Sequence, residues 1–183
     1  MKKITILGDI MNEPVMLAEA KKADGSYDYY PAFAPLQKLM DEADYRIANL
    51  ETPLAGEEAG WTANIFQFNT PDTIADALKK LGIDALSFAN NHTFDRGQAG
   101  MLRTLKVLKE KGFAVTGAFE DPKKDRIAYF TLGDTKVAWV AYILCKSPHH
   151  RSPSVVINIW LCCVFYKIED KRQYQCHYGK KLQ

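Results

Sequence analysis

The sequence predicts an α/β protein built on a parallel sheet, and three observations carry that expectation. Of three short apolar runs, Ile4–Asp9 and Tyr45–Glu51 finish on polar residues and Ala85–Ala89 is bounded by Asp84 and Asn90. Each strand candidate leads toward a segment with helical spacing of apolar residues. Asp9, Glu51 and Asn91 stand 42 and 40 residues apart, room for a strand, a helix and their loops. Right-handed crossovers make such successive strands parallel, so their carboxyl ends share one edge of the sheet. Ligands of open α/β sheets bind at that edge.

The first strand, Ile4-Thr-Ile-Leu-Gly-Asp9, starts almost at the amino terminus and ends at a Gly-Asp corner. Pro31–Ala43 carries Phe33, Leu36, Leu39 and Met40 toward the sheet and predicts a helix. The second strand closes on Asn49 and Glu51 before Thr52-Pro53. The connection from Gly56 to Asn69 is long and holds Trp61, Phe66 and Phe68. Long loops at a ligand edge often act as lids, and these aromatics suit either a substrate groove or half-buried packing. Thr70-Pro71 predicts a helix start, with Thr70 as cap and Pro71 at the first helical position. Ile74, Ala77, Leu78 and Leu81 line its core face, and Gly82 stops it. Gly97–Lys111 is the next helix, with Met101, Leu102, Leu105 and Leu108 in register. Ile127–Leu132 and Lys136–Tyr142 predict an antiparallel pair across Gly133-Asp134.

The chemistry concentrates in Ser87-Phe-Ala-Asn-Asn-His-Thr-Phe-Asp95, which sets two amides, an imidazole and a carboxylate at a strand end. Asp9, Glu51 and Asn91 would bring three oxygen ligands and, with His92, a histidine to one crevice. Hard or borderline divalent ions accept such a set, imidazole suiting zinc, manganese or iron. An acidic residue can bridge two ions and activate a shared water, so a dinuclear site is the natural expectation. Each residue also has a plainer reading. Asp9 can be a turn residue after Gly8, and Glu51 a solvated carboxylate. Asn90 and Asn91 can supply a left-handed turn. Asp95 can cap the following helix, with Gln98 completing a variant of the capping box. His92 alone would be an ordinary satisfied histidine. The plainer readings weaken together, since all of these residues fall at one sheet edge.

At these residues the sequence resembles the CapA-like family of poly-gamma-glutamate capsule-synthesis proteins, whose fold belongs with the calcineurin-like metallophosphoesterases. The matching pieces are Gly8-Asp9-Ile-Met11, Ala48-Asn-Leu-Glu-Thr-Pro53, Phe68-Asn-Thr-Pro71, Leu81-Gly-Ile-Asp84 and Ala89-Asn-Asn-His-Thr-Phe-Asp-Arg-Gly97. Thr104, Leu108 and Gly112 through Gly117 continue the likeness, which covers roughly residues 2–142. The resemblance implies the amino-terminal part of an αββα sandwich. It makes Asp9 the first metal-binding aspartate, Glu51 the bridging acid and Asn91 the amide ligand of a second ion. His92 would protonate a leaving oxygen, and Asp95 would hold that histidine in position. The implied reaction class is metal-assisted hydrolysis of a phosphate ester, on manganese, zinc or iron. The implied biological role is assembly or export of an anionic polyglutamate polymer. Partners would then be that polymer or a phosphate-containing small molecule, with a capsule-synthesis membrane complex around them. The alternatives are a non-enzymatic polymer- or partner-binding protein of the same fold, or an inactive truncated product.

Family members run longer and supply further histidines in His-Trp-Gly and Gly-His-His-Pro-His type segments, and neither occurs here. The likeness ends near Leu144, which divides the chain into a CapA-like portion, 1–144, and a divergent tail, 145–183. Composition breaks at the same place. Cys145, Cys162, Cys163 and Cys176 all lie in the tail, with His149, His150 and His177. Residues 1–144 hold 17 Lys and Arg against 20 Asp and Glu, and residues 145–183 hold 7 against 2. Val155–Phe165 is too short for a helical membrane span and is interrupted by Asn158. Adjacent Cys162 and Cys163 do not fit zinc-ligand spacing. The expectation is therefore a shifted reading frame or degenerate gene end, outside the native fold and prone to aggregate.

The remaining composition narrows the function class. A chain of 183 residues is about one domain, and 47% hydrophobic with 25% charged residues sits in the soluble range. No basic patch interleaved with aromatics occurs in the body, so nucleic acid is not an expected partner. The amino terminus lacks the apolar core and cleavage site of a signal peptide. The chain as written is expected in the cytoplasm, whereas many relatives sit outside the cell behind a membrane anchor.

Overall fold

The computed structural model describes residues 2–121 and 127–142, and the expectations for residues 145–183 fall outside them. Four strands, β1 (Ile4–Ile10), β2 (Tyr45–Leu50), β3 (Ala85–Ser87) and β4 (Ala114–Thr116), form a sheet in the order β1-β2-β3-β4. All three pairings are parallel, which a chain returning through helices produces. The helices are α1 (Pro14–Ala20), α2 (Tyr30–Phe33), α3 (Gln37–Asp41), α4 (Thr73–Leu81) and α5 (Gly97–Glu110). An antiparallel hairpin, β5 (Ala128–Leu132) with β6 (Thr135–Trp139), turns at Gly133-Asp134 as its sequence predicts.

Strand alternation sorts the side chains into two layers. Ala48, Leu86 and Val115 join an apolar cluster with Ile74, Leu78, Leu81, Leu105 and Leu108 of the helices. Their neighbours Ile47, Ala85 and Ala114 join a second cluster with Ala128, Phe130 and Trp139 of the hairpin. Tyr45 stacks on Phe130 there, with ring centres 3.7 Å apart. The sheet therefore lies between helices and hairpin, in agreement with the amino-terminal part of a calcineurin-like sandwich. Each fully buried Leu or Ile contributes about 1.5–3 kcal/mol, so the core face of α4 is a principal anchor of the sheet.

Local chemistry explains where the elements depart from expectation. Pro31–Ala43 is not one helix but α2, a 3-10 turn at Ala34–Leu36 and α3. Pro35 has no N–H to donate to the preceding turn, and the tighter 3-10 geometry changes the direction in which the side chains of α3 face. Phe33 and Met40 are buried as expected, but Leu39 is 44% exposed. The α4 helix starts at Thr73, two residues after Pro71, and has no side-chain cap. The Thr70 hydroxyl is instead bound to that of Thr52 at 2.7 Å. Gly82 does end α4, at φ +95°, with its N–H on the carbonyls of Leu78 and Lys79, a left-handed cap that favours glycine. The third strand stops at Ser87, although Phe88 and Ala89 remain buried. The helix α1, opened by Pro14, is an element the sequence reading lacks. Among the described residues no helix is long and apolar enough to cross a membrane.

Candidate functional site

A β-bulge builds the first part of the site. Ile6 pairs with Ile47, but Asp9 pairs with Asn49, so β1 holds one more residue than β2 over that interval. Such a bulge re-aims the side chains beyond it. Without it Gly8 would face Asn49; with it the Asp9 carboxylate does. Asn49 in turn pairs with Ser87, and Ser87 with Thr116. A transverse polar row, Asp9, Asn49, Ser87 and Thr116, thus crosses all four strands two residues beyond the hairpin-facing Ile47, Ala85 and Ala114.

Hydrogen bonds join Asp9, Asn49 and Ser87 of the row to one another and to Asn90. Asn49 Nδ2 donates to Asp9 Oδ1 at 2.7 Å. Asn49 Oδ1 accepts from Ser87 Oγ at 2.8 Å and from Asn90 Nδ2 at 3.3 Å. Asn90 Nδ2 also donates to the Leu50 carbonyl at 2.7 Å, and its Oδ1 accepts from the His92 N–H at 3.1 Å. The Asn90 N–H donates to Thr93 Oγ1 at 2.9 Å, and the Thr93 N–H returns to the Asn90 carbonyl at 3.1 Å. Gly117, at φ +97°, lets β4 pass this turn: a Cβ there would stand 2.4 Å from that of Ala89.

The second part of the site is an imidazole clamped from two sides. His92 Nδ1 lies 2.8 Å from Asp95 Oδ2, and both side chains are about nine-tenths buried. The same oxygen accepts the Phe68 N–H at 2.7 Å. The Phe68 ring meets the His92 ring edge-on with centres 4.4 Å apart. Asp95 therefore does not cap α5, which begins at Gly97 without a side-chain cap. Its carboxylate joins the histidine to the Gly56–Asn69 connection instead. That connection is pinned at its base, where the Asn69 amide donates to the carbonyls of Gly56 and Gly60 and accepts from the Ala55 N–H. Of its aromatics, Phe68 is buried, Trp61 packs edge-on against Tyr27 and Phe66 is exposed.

Electrostatics single out Glu51. Its N–H donates to the Ile10 carbonyl at 2.9 Å, which sets it beside the end of β1. Burial, then the charge of Asp9, then a hydrogen bond with Asp9 push its carboxyl up to about 7. Two carboxylates held together favour either a shared proton or a cation. That donor chemistry is of the kind a divalent ion accepts. Asn91 is exposed, and among the described residues no hydrogen bond joins it to either acid. Nor do the described residues gather any cluster of three or more His, Cys, Asp or Glu side chains. The structure thus brings Asp9 to Glu51 and His92 to Asp95.

The sequence assigns Asn49 and Ser87 no role at the site and offers Phe68 only as one of three loop aromatics. It counts Asn90 as an amide of the strand end or a turn former, without the partners it has here. A signal for Asn49 exists: it is a polar residue inside the apolar run Ile47–Leu50, one pleat beyond Ile47 on the same face. Phe68 opens the matching piece Phe68-Asn-Thr-Pro71, but nothing local marks its partner His92, which lies 24 residues on in the chain.

The sequence matches the family described as bacterial capsule synthesis protein PGA_cap over residues 3–158. It is 28% identical over 144 residues to the capsule biosynthesis protein CapA of Bacillus anthracis, covering 76% of this chain and 34% of that protein. Against the PGA biosynthesis protein CapA of Bacillus subtilis (strain 168) the identity is 26% over 144 residues, covering 75% and 36%. An uncharacterized protein, y4sH of Sinorhizobium fredii (strain NBRC 101917 / NGR234), is 29% identical over 98 residues, covering 50% and 21%. The chain spans about a third of the length of the two CapA proteins. It belongs to the bacterial capsule synthesis protein family.

Proposed function

We propose that this member of the capsule synthesis family acts in building or exporting an anionic capsule polymer of the polyglutamate type, through a divalent-metal site of phosphoesterase character. The observation that carries the reading is the opposed pair Asp9 and Glu51 at the carboxyl edge of a parallel sheet. These two side chains would hold the ion, with Asn91 adding a neutral oxygen for a second. A bound manganese, zinc or iron ion supplies Lewis acidity and a water activated near neutral pH. The chain's own residues do the rest. Asp95 accepts from His92 Nδ1 and so fixes the ring, which leaves Nε2 to carry the proton delivered to a leaving oxygen. Phe68, packed on that ring, keeps water from one side of it. The substrate class is a phosphate ester or the phosphate-activated end of the polymer, within a capsule-synthesis membrane complex.

Metal analysis of the purified protein tests this directly. Manganese or zinc should copurify or bind at a defined stoichiometry, Asp9→Ala should abolish it, and bis-p-nitrophenyl phosphate should be hydrolysed only by the loaded protein. A folded wild type that takes up no metal at millimolar concentration would sink the reading. A second reading, a polymer-binding protein of the same fold without catalysis, draws on the small number of acidic ligands gathered among the described residues. Metal uptake with no hydrolysis, together with retention of polyglutamate, would favour it.

A further inference from the structure

Asn49 takes no part in the proposed hydrolysis, although it is the most connected side chain of the polar row. It is 7% exposed, and its neighbours Ser87 and Asn90 are 1% and 0% exposed. An amide can be placed either way round, but its surroundings here admit one orientation. The oxygen faces two donors, Ser87 Oγ and Asn90 Nδ2, and the nitrogen faces the Asp9 carboxylate. The reverse placement would set oxygen against carboxylate and leave the Asn90 nitrogen facing a donor.

We infer that Asn49 is a positioning residue, which holds the Asp9 carboxylate in the orientation a divalent cation needs and couples it to the turn that carries His92. The inference rests on the proposed metal site and deepens it. With Oδ1 engaged by Asn49 at 2.7 Å, the Asp9 carboxylate cannot rotate freely about its last bond. Its remaining lone pairs are thereby directed for a ligand. The coupling runs through one chain of bonds: Asp9 to Asn49, Asn49 to Asn90, and Asn90 Oδ1 to the His92 N–H. These bonds cross from β1 to the end of β3 and join the two halves of the site. Asn49, Ser87 and Asn90 are buried and satisfy one another, which makes that end of the chain of bonds rigid. The exposed Asp9 is anchored to it through the bond from Asn49, and groups that orient a metal ligand are worth about 10–100-fold in metal affinity.

The test uses manganese(II) and electron paramagnetic resonance, which reads free ion for the dissociation constant and bound ion for its coordination. Asn49→Leu should weaken manganese binding about 10–100-fold and alter the bound-ion spectrum. Ser87→Ala removes one of the two bonds on the amide oxygen and should give a smaller loss in the same direction. If Asn49→Leu does not fold, Asn49→Ser, too short to reach Asp9, is judged by the same criterion. A variant that melts earlier but binds manganese with unchanged affinity and spectrum overturns the inference and leaves the metal reading standing. A wild type that binds no manganese removes the metal reading, and this inference falls with it.

Discussion

Ile47 and Asn49 lie two residues apart on one face of β2, yet they belong to opposite regimes. Ile47 is sealed between sheet and hairpin against Ala85, Ala128 and Trp139. Asn49 sits where the hairpin-facing apolar cluster ends, among a carboxylate, a hydroxyl and another amide. The strand middles gain stability from area removed from water. The strand ends hold polar groups whose hydrogen bonds only offset the cost of burying them, plus two acids that oppose each other. One sheet thus carries a stabilising centre and a costly edge. Sites built for a ligand commonly pair strain at the edge with surplus in the core.

The largest effect should come from the centre. Leu78→Ala, in the core face of α4, is expected to cost about 3 kcal/mol in urea unfolding, with manganese affinity of the folded protein unchanged. Gly117→Ala sits at the boundary. Its new Cβ meets Ala89 in a left-handed backbone, so it should cost about 2 kcal/mol. Because Ala89 leads into Asn90, it should also weaken metal binding, which separates it from Leu78→Ala. Next comes Asp95→Ala, which leaves the Phe68 N–H and His92 Nδ1 without their acceptor. A loss of about 1–2 kcal/mol is expected, with faster proteolysis between Gly56 and Asn69 and loss of any phosphoesterase activity.

The smallest effect reads the costly edge through pH. The carboxyl of Glu51 is raised from 4.5 to about 7 in the folded protein. Below 4.5 it is protonated in both states and carries no penalty. As pH rises from 4.5 through about 7 the unfolded chain releases this proton more readily, so metal-free stability should fall across that window. Because Glu51 is half-buried, the loss is discounted to about 1 kcal/mol. Glu51→Gln should flatten the decline in a pH series of urea midpoints; an unchanged slope would place the opposed acids in doubt.

Much of the centre is readable because its signals are local. The spacing of Ile74, Ala77, Leu78 and Leu81, the glycine stop at Gly82 and the Gly133-Asp134 turn each act within a few residues. Pro35 shows how far such reading reaches: the break it makes is local too, but its effect on Leu39 depends on the geometry the next turn adopts. At the site, Asp9, Glu51, Asn91, His92 and Asp95 stand out as strand-end residues, and the structure pairs four of them two by two. Asn49 is marked by its polarity inside an apolar run, but its role is not, because that role lies in its partners on β1 and at the end of β3, which no pattern along β2 contains.

By itself the sequence determined the α/β class, the parallel run of the first three strands, the core faces of α4 and α5 and the edge at which polar residues collect. Those properties come from periodicity and chain reversal, which act over short distances. The resemblance also anticipated that Asp95 holds His92. Only the tertiary structure decided that Asp9 faces Asn49 rather than Leu50, and that Asp95 also takes the Phe68 N–H rather than capping the start of α5. Both choices depend on register between segments 27 to 40 residues apart. A bulge or a loop contact sets that register, and it exists only once the strands have paired.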